Sequence, residues 1–364
     1  MTELTKKFWP YIKILFIPYI FFLFILTYSI EYYITTPGGL TEVESLIEIE
    51  GYEEKSEGSF STTFVVSINK PSFFQFMIAE LSNFNNTGVL TGRSATLTPE
   101  ERNQISYLDK VTSVDAAIVV AYQEASKTNP NIMIDYETKV MVFGKDLTMS
   151  YYDDINFGDE FLYVIGDNDF IVTSEDFIED SGLIKDNTAL EEAYEFYFKN
   201  EEGEVYSRIL EKNPETGLFG ISFKIYYLVI DDATFPKYTE NPSNIGGPSG
   251  GLLQTLAIYN MLTEEDITGG LKIAGTGTIR LDGSVGYIGG VEQKIVTAYV
   301  NKVDLFLIPF LDATKSTDNY IQALAACEKH GIDPTGWLVP VSSFADALAY
   351  FDDPATYMEG IDIS

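Results

Sequence analysis

The sequence predicts a mixed α/β protein, with an α/β (α+β) unit in its last third, a smaller α+β unit before it and one apolar N-terminal helix. Three observations carry this expectation. Strand-like and helix-like runs alternate from about residue 217 onward, short strands dominate about 137–213, and one uncharged apolar run stands near the N-terminus. Alternation of this kind indicates helices layered on a sheet.

The apolar run extends from Ile14 to Ile30, at the short end of what crosses a bilayer as a helix. Lys6, Lys7 and Lys13 precede it, and Glu31, Glu42 and Glu44 follow. The positive-inside rule then places the N-terminus in the cytoplasm and the bulk outside it, at the cell membrane. Tyr28, Tyr32 and Tyr33 suit an interfacial aromatic belt. A cleaved signal peptide is the alternative, but the exit lacks an Ala-x-Ala-like site. Residues 1–34 are therefore expected to be a cytoplasmic tail and single-pass anchor.

Residues 35–130 are expected to form an N-terminal extracytoplasmic segment, with a β-like run at 61–68 and helical patterns at 73–81 and 113–126. No chemistry is read there. Residues 131–215 carry strand-like runs at 140–143 and 161–165, a turn at Gly166-Asp-Asn-Asp, and a helix start that Thr173 or Ser174 can cap. A hairpin pattern at 194–199 and 205–210 follows. The acidic residues Asp153, Asp154, Asp159, Glu160, Asp167 and Asp169 lack the spacing of a calcium loop and read as a solvated face. Residues 216–364 open on the strand pattern 220–230. They continue through a helix after Ser249, a helix at Lys294, a strand at 305–309, a helix at 317–330, a strand at 337–341 and a last helix at 343–351.

Composition excludes several functions. A hydrophobic fraction of 45% and aromatic fraction of 14% fit a folded chain, because disordered chains are poor in both. A formal charge of −32 argues against nucleic-acid binding, which needs clustered Lys and Arg. The single cysteine, Cys327, and single histidine, His330, allow no internal disulfide and no Cys/His metal site. No cofactor is expected. Neither a His-Glu-x-x-His motif nor a G-x-x-x-x-G-K-[ST] phosphate loop occurs, so no ATPase module is expected.

Chemistry concentrates in two glycine-rich stretches. The first runs from Asn244 through Ile245 and Gly-Gly-Pro-Ser-Gly-Gly, setting Ser249 at the head of an apolar helix pattern. A serine hydroxyl attacks carbonyls only when a neighbouring base takes its proton. Glycines let a substrate backbone approach, and the N–H groups of Gly247, Gly250 and their neighbours around Pro248 can hold an oxyanion. The second stretch, from Ala274 to Lys294, ends with Val291, Lys294, Ile295 and Ala298 at i, i+3, i+4 and i+7. That spacing turns Lys294 inward, and its place near a helix start opposes positive charge. Both effects lower a lysine pKa toward that of a general base. Taken singly, a helix cap explains the serine as well, and a snorkelling side chain explains the lysine. Gly247-Pro-Ser-Gly-Gly also satisfies the G-x-S-x-G pattern of α/β-hydrolases, but His330 closes a helix before Gly331 and reads as a cap.

Jointly, the two stretches resemble the proteolytic domain of Lon proteases over about residues 217–351. The 45-residue separation of Ser249 and Lys294 is similar to the Lon spacing, and Thr276 falls where Lon enzymes carry a threonine that hydrogen-bonds the lysine. Gly250 departs from the alanine common after the Lon serine. The phrase Gly158-Asp-Glu-Phe-Leu-Tyr-Val-Ile-Gly-Asp resembles a signature inside PDZ domains, without a recognisable carboxylate-binding glycine loop, and a small α+β spacer domain is the alternative there. With the PDZ-like reading, the whole layout resembles membrane-anchored PDZ-Lon proteases. The resemblance implies a Ser-Lys dyad endopeptidase with Ser249 as nucleophile, Lys294 as base and Thr276 as its orienting partner. It implies ATP-independent action on unfolded or membrane-associated protein substrates, and assembly as a homo-hexamer. A non-catalytic membrane scaffold with an inactive Lon fold is the alternative.

Overall fold

Two sheets organise the chain, and neither follows the order of the sequence. The structure is a computed structural model and describes residues 3–52, 57–242 and 246–361. It opens with the helix α1 (Glu3–Thr27), against which α2 (Phe73–Glu80) packs. Within α1, Phe8–Thr27 is long and apolar enough to cross a membrane or to serve as a signal sequence.

The main sheet has six strands: β1 (Tyr32–Glu42), β2 (Ser59–Asn69), β3 (Asn86–Val89), β9 (Lys272–Gly275), β10 (Leu305–Pro309) and β11 (Leu338–Val341). Their spatial order is β11-β10-β9-β2-β1-β3. Strands β11, β10, β9 and β2 run parallel, and β1 is antiparallel to both β2 and β3.

Alternating side chains feed two cores, as the pleat requires. Ile273, Leu305, Leu307, Val339 and Val341 join one core, with helices α3 (Pro99–Ser126), α5 (Gly251–Leu262) and α8 (Phe344–Asp352). Ala274, Phe306, Ile308 and Leu338 join the other, with α6 (Val291–Val300) and α7 (Asn319–His330). The result is a three-layer α/β/α unit.

The second sheet is antiparallel: β4 (Tyr136–Lys145), β5 (Glu160–Ile165), β6 (Ala193–Lys199), β7 (Val205–Glu211) and β8 (Ile221–Val229), in the order β8-β4-β5-β6-β7, with the short strand Ile171–Thr173 also paired to β5. A short helix, α4 (Ser174–Glu179), packs against it. Thr173 caps this helix through Asp176 N–H, as its position predicts. The sheet has its own aromatic core around Phe161, Phe196 and Phe198.

Two expected divisions change. Residues 35–130 are not a separate segment, because β1, which starts at Tyr32 inside the stretch expected to be anchor, completes the main sheet with β2 and β3, and α3 packs on α5. Nor does the last unit begin at 216, because β8 pairs along its length with β4 in the second sheet. Backbone pairing decides membership here, and a strand pattern alone carries no record of its partner. The antiparallel unit is therefore inserted between α3 and α5. The long helix α3 joins the two units: Glu101 accepts from Tyr152, Gln104 Nε2 donates to Phe157 O at 2.8 Å, and Asp109 pairs with Lys224.

Candidate active site

The site forms where β9 stops. Strand β9 ends at Gly275, where a Cβ would lie 2.7 Å from both Leu253 Cδ2 and Leu307 O. Beyond this point, α5 on one face of the sheet and α6 on the other bring Ser249 and Lys294 together. Crevices at the carboxyl ends of parallel strands are the usual ligand sites of such sheets.

Ser249 is half-buried in the turn that enters α5. Its carbonyl accepts Gly277 N–H at 2.8 Å and the Thr276 hydroxyl at 3.0 Å. Leu252 N–H donates in turn to Gly277 O at 3.1 Å. The backbone after β9 is thus laced to the serine turn. Gly277 has φ +155, and a Cβ there would sit 2.8 Å from Val285 Cγ1.

Lys294 lies in the first turn of α6, which starts from Gly290 in the left-handed conformation (φ 68). The side chain is only 2% exposed. Its Nζ stands 2.8 Å from Ser249 Oγ and donates to Thr276 Oγ1 at 2.7 Å. Burial destabilises the ammonium and pushes the pKa down to about 7. Proton use at Thr276 fixes the polarity of the chain. Its hydroxyl proton goes to Ser249 O, so its oxygen must accept from Lys294. In the neutral amine, the remaining lone pair is then free for the serine proton.

Three of the residues singled out in the sequence, Ser249, Thr276 and Lys294, are therefore in mutual hydrogen-bond contact. The glycine-turn residues need correction. Gly247 N–H donates to Ser106 O at 3.0 Å, and Pro248 has no N–H. That leaves the N–H groups of Ser249 and Gly250; among the described residues, neither donates to another backbone group. Asn244 and Ile245, at the head of the motif, lie outside the described residues. His330 is engaged elsewhere, with Nε2 2.8 Å from Glu292 Oε1 and its ring stacked on Phe84.

Residues 35–130, expected to carry no chemistry, supply the opposite wall. Strand β2 pairs Thr62 with Gly275, and Thr63 Oγ1 donates to Gly275 O at 3.0 Å. Thr62 Cγ2 stands 3.0 Å from where a Cβ on Gly250 would be, so a side chain at that position would press on β2. From α3, Ser113 Oγ donates to Pro248 O at 2.9 Å. The available signal was small polar residues inside otherwise apolar runs: Thr62 and Thr63 before Phe64-Val-Val, and Ser113 before Val114-Asp-Ala-Ala.

A second concavity, of about 950 Å³, lies where the inserted unit meets the segment after β3, lined by Leu90, Phe177, Ile184, Phe219, Ile221 and Phe223. Gly217 and Gly220, both at positive φ (70 and 72), also line it.

Residues 240–321, which include Ser249, Thr276 and Lys294, match the Lon protease (S16) C-terminal proteolytic domain. The chain thus carries a Lon-like proteolytic domain and is similar to serine-type peptidases. Among characterised relatives, the Lon protease of Ureaplasma parvum serovar 3 is 39% identical over 66 residues, 18% of this chain and 8% of that protein. Lon protease 1 of Herpetosiphon aurantiacus is 28% identical over 101 residues, 28% of this chain and 12% of that protein. The matched segments therefore span 8% and 12% of the length of these two relatives.

Proposed function

We propose that the protein is a serine endopeptidase with Ser249 as nucleophile and Lys294 as general base. The observation that carries this reading is the buried amine, 2.8 Å from the serine oxygen, with a pKa lowered to about 7. In the proposed cycle, Ser249 Oγ attacks a peptide carbonyl as neutral Lys294 takes its proton. The resulting oxyanion is held by the N–H groups of Ser249 and Gly250. Lys294 then gives the proton to the leaving amine, and water repeats the sequence to release the acyl group. Thr276 orients the lysine throughout.

Cleavage is proposed to need no ATP, in keeping with the lack of a phosphate-loop motif in this sequence. The basic residues before the apolar helix and the acidic ones after it favour a membrane anchor, with the site outside the cytoplasm. Membrane-associated or unfolded chains are then the substrates within reach, and the Lon-like domain favours a ring of six copies.

The inserted unit is proposed to be a PDZ-like module that gathers such chains. Its edge strand β8 borders the apolar cavity, an arrangement suited to adding an extended peptide as a further strand.

The test is digestion of fluorescein-labelled casein by the full chain in detergent micelles, without ATP, beside Ser249→Ala. Cleavage by the parent alone is expected. Equal cleavage by both, or none by the parent, would reject the peptidase reading in favour of a binding scaffold.

A further inference from the structure

The turn carrying Ser249 is held from a helix outside the matched region. On α3, Ser106 and Ser113 are seven residues apart, two turns of helix, and so lie on one face. The carbonyl of Ser106 accepts Gly247 N–H at 3.0 Å, and the hydroxyl of Ser113 donates to Pro248 O at 2.9 Å. Together they grip the turn on both sides of Pro248. Ser113 is 5% exposed and is flanked by the core residues Val114, Ala116 and Ala117.

The consequence for Ser249 is geometric. A planar trans peptide points its C=O and N–H in opposite directions, and Pro248–Ser249 is trans. With the Pro248 carbonyl fixed on α3, the Ser249 N–H must point away from that helix. The proline ring fixes φ of residue 248, so ψ of Pro248 and φ of Ser249 are the rotations that could turn this peptide over. The bond from Ser113 blocks that rotation. Pro248 O also accepts Gly251 N–H, at a longer 3.3 Å, which leaves the hydroxyl as the shorter restraint.

We infer that Ser113 is a positioning residue for the reaction proposed above: by binding the Pro248 carbonyl, it holds the Ser249 N–H in the orientation that receives the substrate oxygen as it becomes an oxyanion. The inference rests on the serine-peptidase reading and adds a residue about 136 positions upstream of the nucleophile.

The test uses the full chain in micelles, with Ser113→Ala and Ser113→Thr beside Ser249→Ala. Labelled casein is the substrate, and a dipeptide boronic acid, which forms a tetrahedral adduct on the serine, is the inhibitor. For Ser113→Ala, kcat should fall by about 10- to 100-fold with KM within about twofold, since one oxyanion donor is misaimed rather than deleted. Boronate affinity should fall in parallel, the acid limb of the pH profile should stay in place because Lys294 is untouched, and Ser113→Thr should recover most of the loss. Wild-type kcat and boronate affinity in Ser113→Ala would overturn the inference and leave the peptidase intact. A lower melting temperature with unchanged kcat would also overturn it, marking Ser113 as packing only. A parent no more active than Ser249→Ala would reject the peptidase reading and this inference with it.

Discussion

The two walls of the site make opposite demands on sequence. One wall, from Gly246 to Lys294, holds the groups proposed to react, within two short glycine-rich stretches. The other, from β2 and α3, holds Thr62, Ser106 and Ser113, which meet the turn through a methyl, a backbone carbonyl and a hydroxyl, and Thr63, whose hydroxyl binds the end of β9. The whole inserted sheet stands between the walls in the chain. A reactive wall must have particular side chains at particular spacings, so it leaves a motif. A supporting wall needs only a small polar group at the right place on a regular element, and such residues are common everywhere.

The sharpest way to break this contrast is to remove the reactive groups. Ser249→Ala and Lys294→Met should each lower casein cleavage on the order of 10³-fold or more, since dyad members act as a unit. Their effects on stability should differ. The lysine pKa falls from 10.5 unfolded to about 7 folded, so between these values the unfolded chain binds more protons. Stability lost by burying Lys294 is therefore greatest below about pH 7 and is recovered as pH rises toward 10.5. Lys294→Met should thus raise stability, by about 3 kcal/mol near pH 8, while Ser249→Ala should leave it nearly unchanged. Urea melts at two pH values separate the outcomes; a Lys294→Met variant that still cleaves would sink the dyad.

The same pKa predicts the activity profile. The base must be neutral, so kcat/KM should rise about tenfold per pH unit below about 7 and level off above it. A profile flat through this range would deny Lys294 the role of base.

Thr276→Val is the next step down. It keeps the buried shape but removes the acceptor of the lysine N–H and one of two donors to Ser249 O. A kcat loss of roughly 10- to 100-fold is expected, a typical cost of misaligning a general base. The lost acceptor also favoured the ammonium, so the acid limb should move to lower pH. Movement to higher pH would contradict the hydrogen-bond polarity assigned here.

The secondary structure was mostly legible in sequence because it is local. The capped helix at Thr173, the hairpin at 194–199 and 205–211, and the inward face of α6 all follow from periodicity and caps. Sheet membership was not. Strand β8 reads as the start of the last unit, yet its register with β4 places it in the inserted one. Strands β1 to β3 read as a segment apart, although they finish the sheet begun by β9, β10 and β11. Pairing across such distances depends on which edges remain open after the rest has folded, and no window of residues contains that information.

Gly250 joins the two walls and gives the smallest and most informative effect. Its backbone (φ −93, ψ −8) suits any residue, so the cost of a side chain there comes from Thr62 Cγ2, 3.0 Å from the new Cβ. Alanine in place of glycine stabilises by about 0.4–1 kcal/mol through the unfolded chain when the native site accepts it. Against Thr62 the crowding should cancel this gain, leaving Gly250→Ala near neutral in stability and within about threefold in kcat/KM, because no reacting group moves. In a Thr62→Ser background the methyl is gone, and the same change should then stabilise by the full amount. A thermal double-mutant cycle reads the coupling directly. Coupling indistinguishable from zero would mean that the β2 wall does not press on the serine turn, and that the glycine after Ser249 is not explained by contact with it.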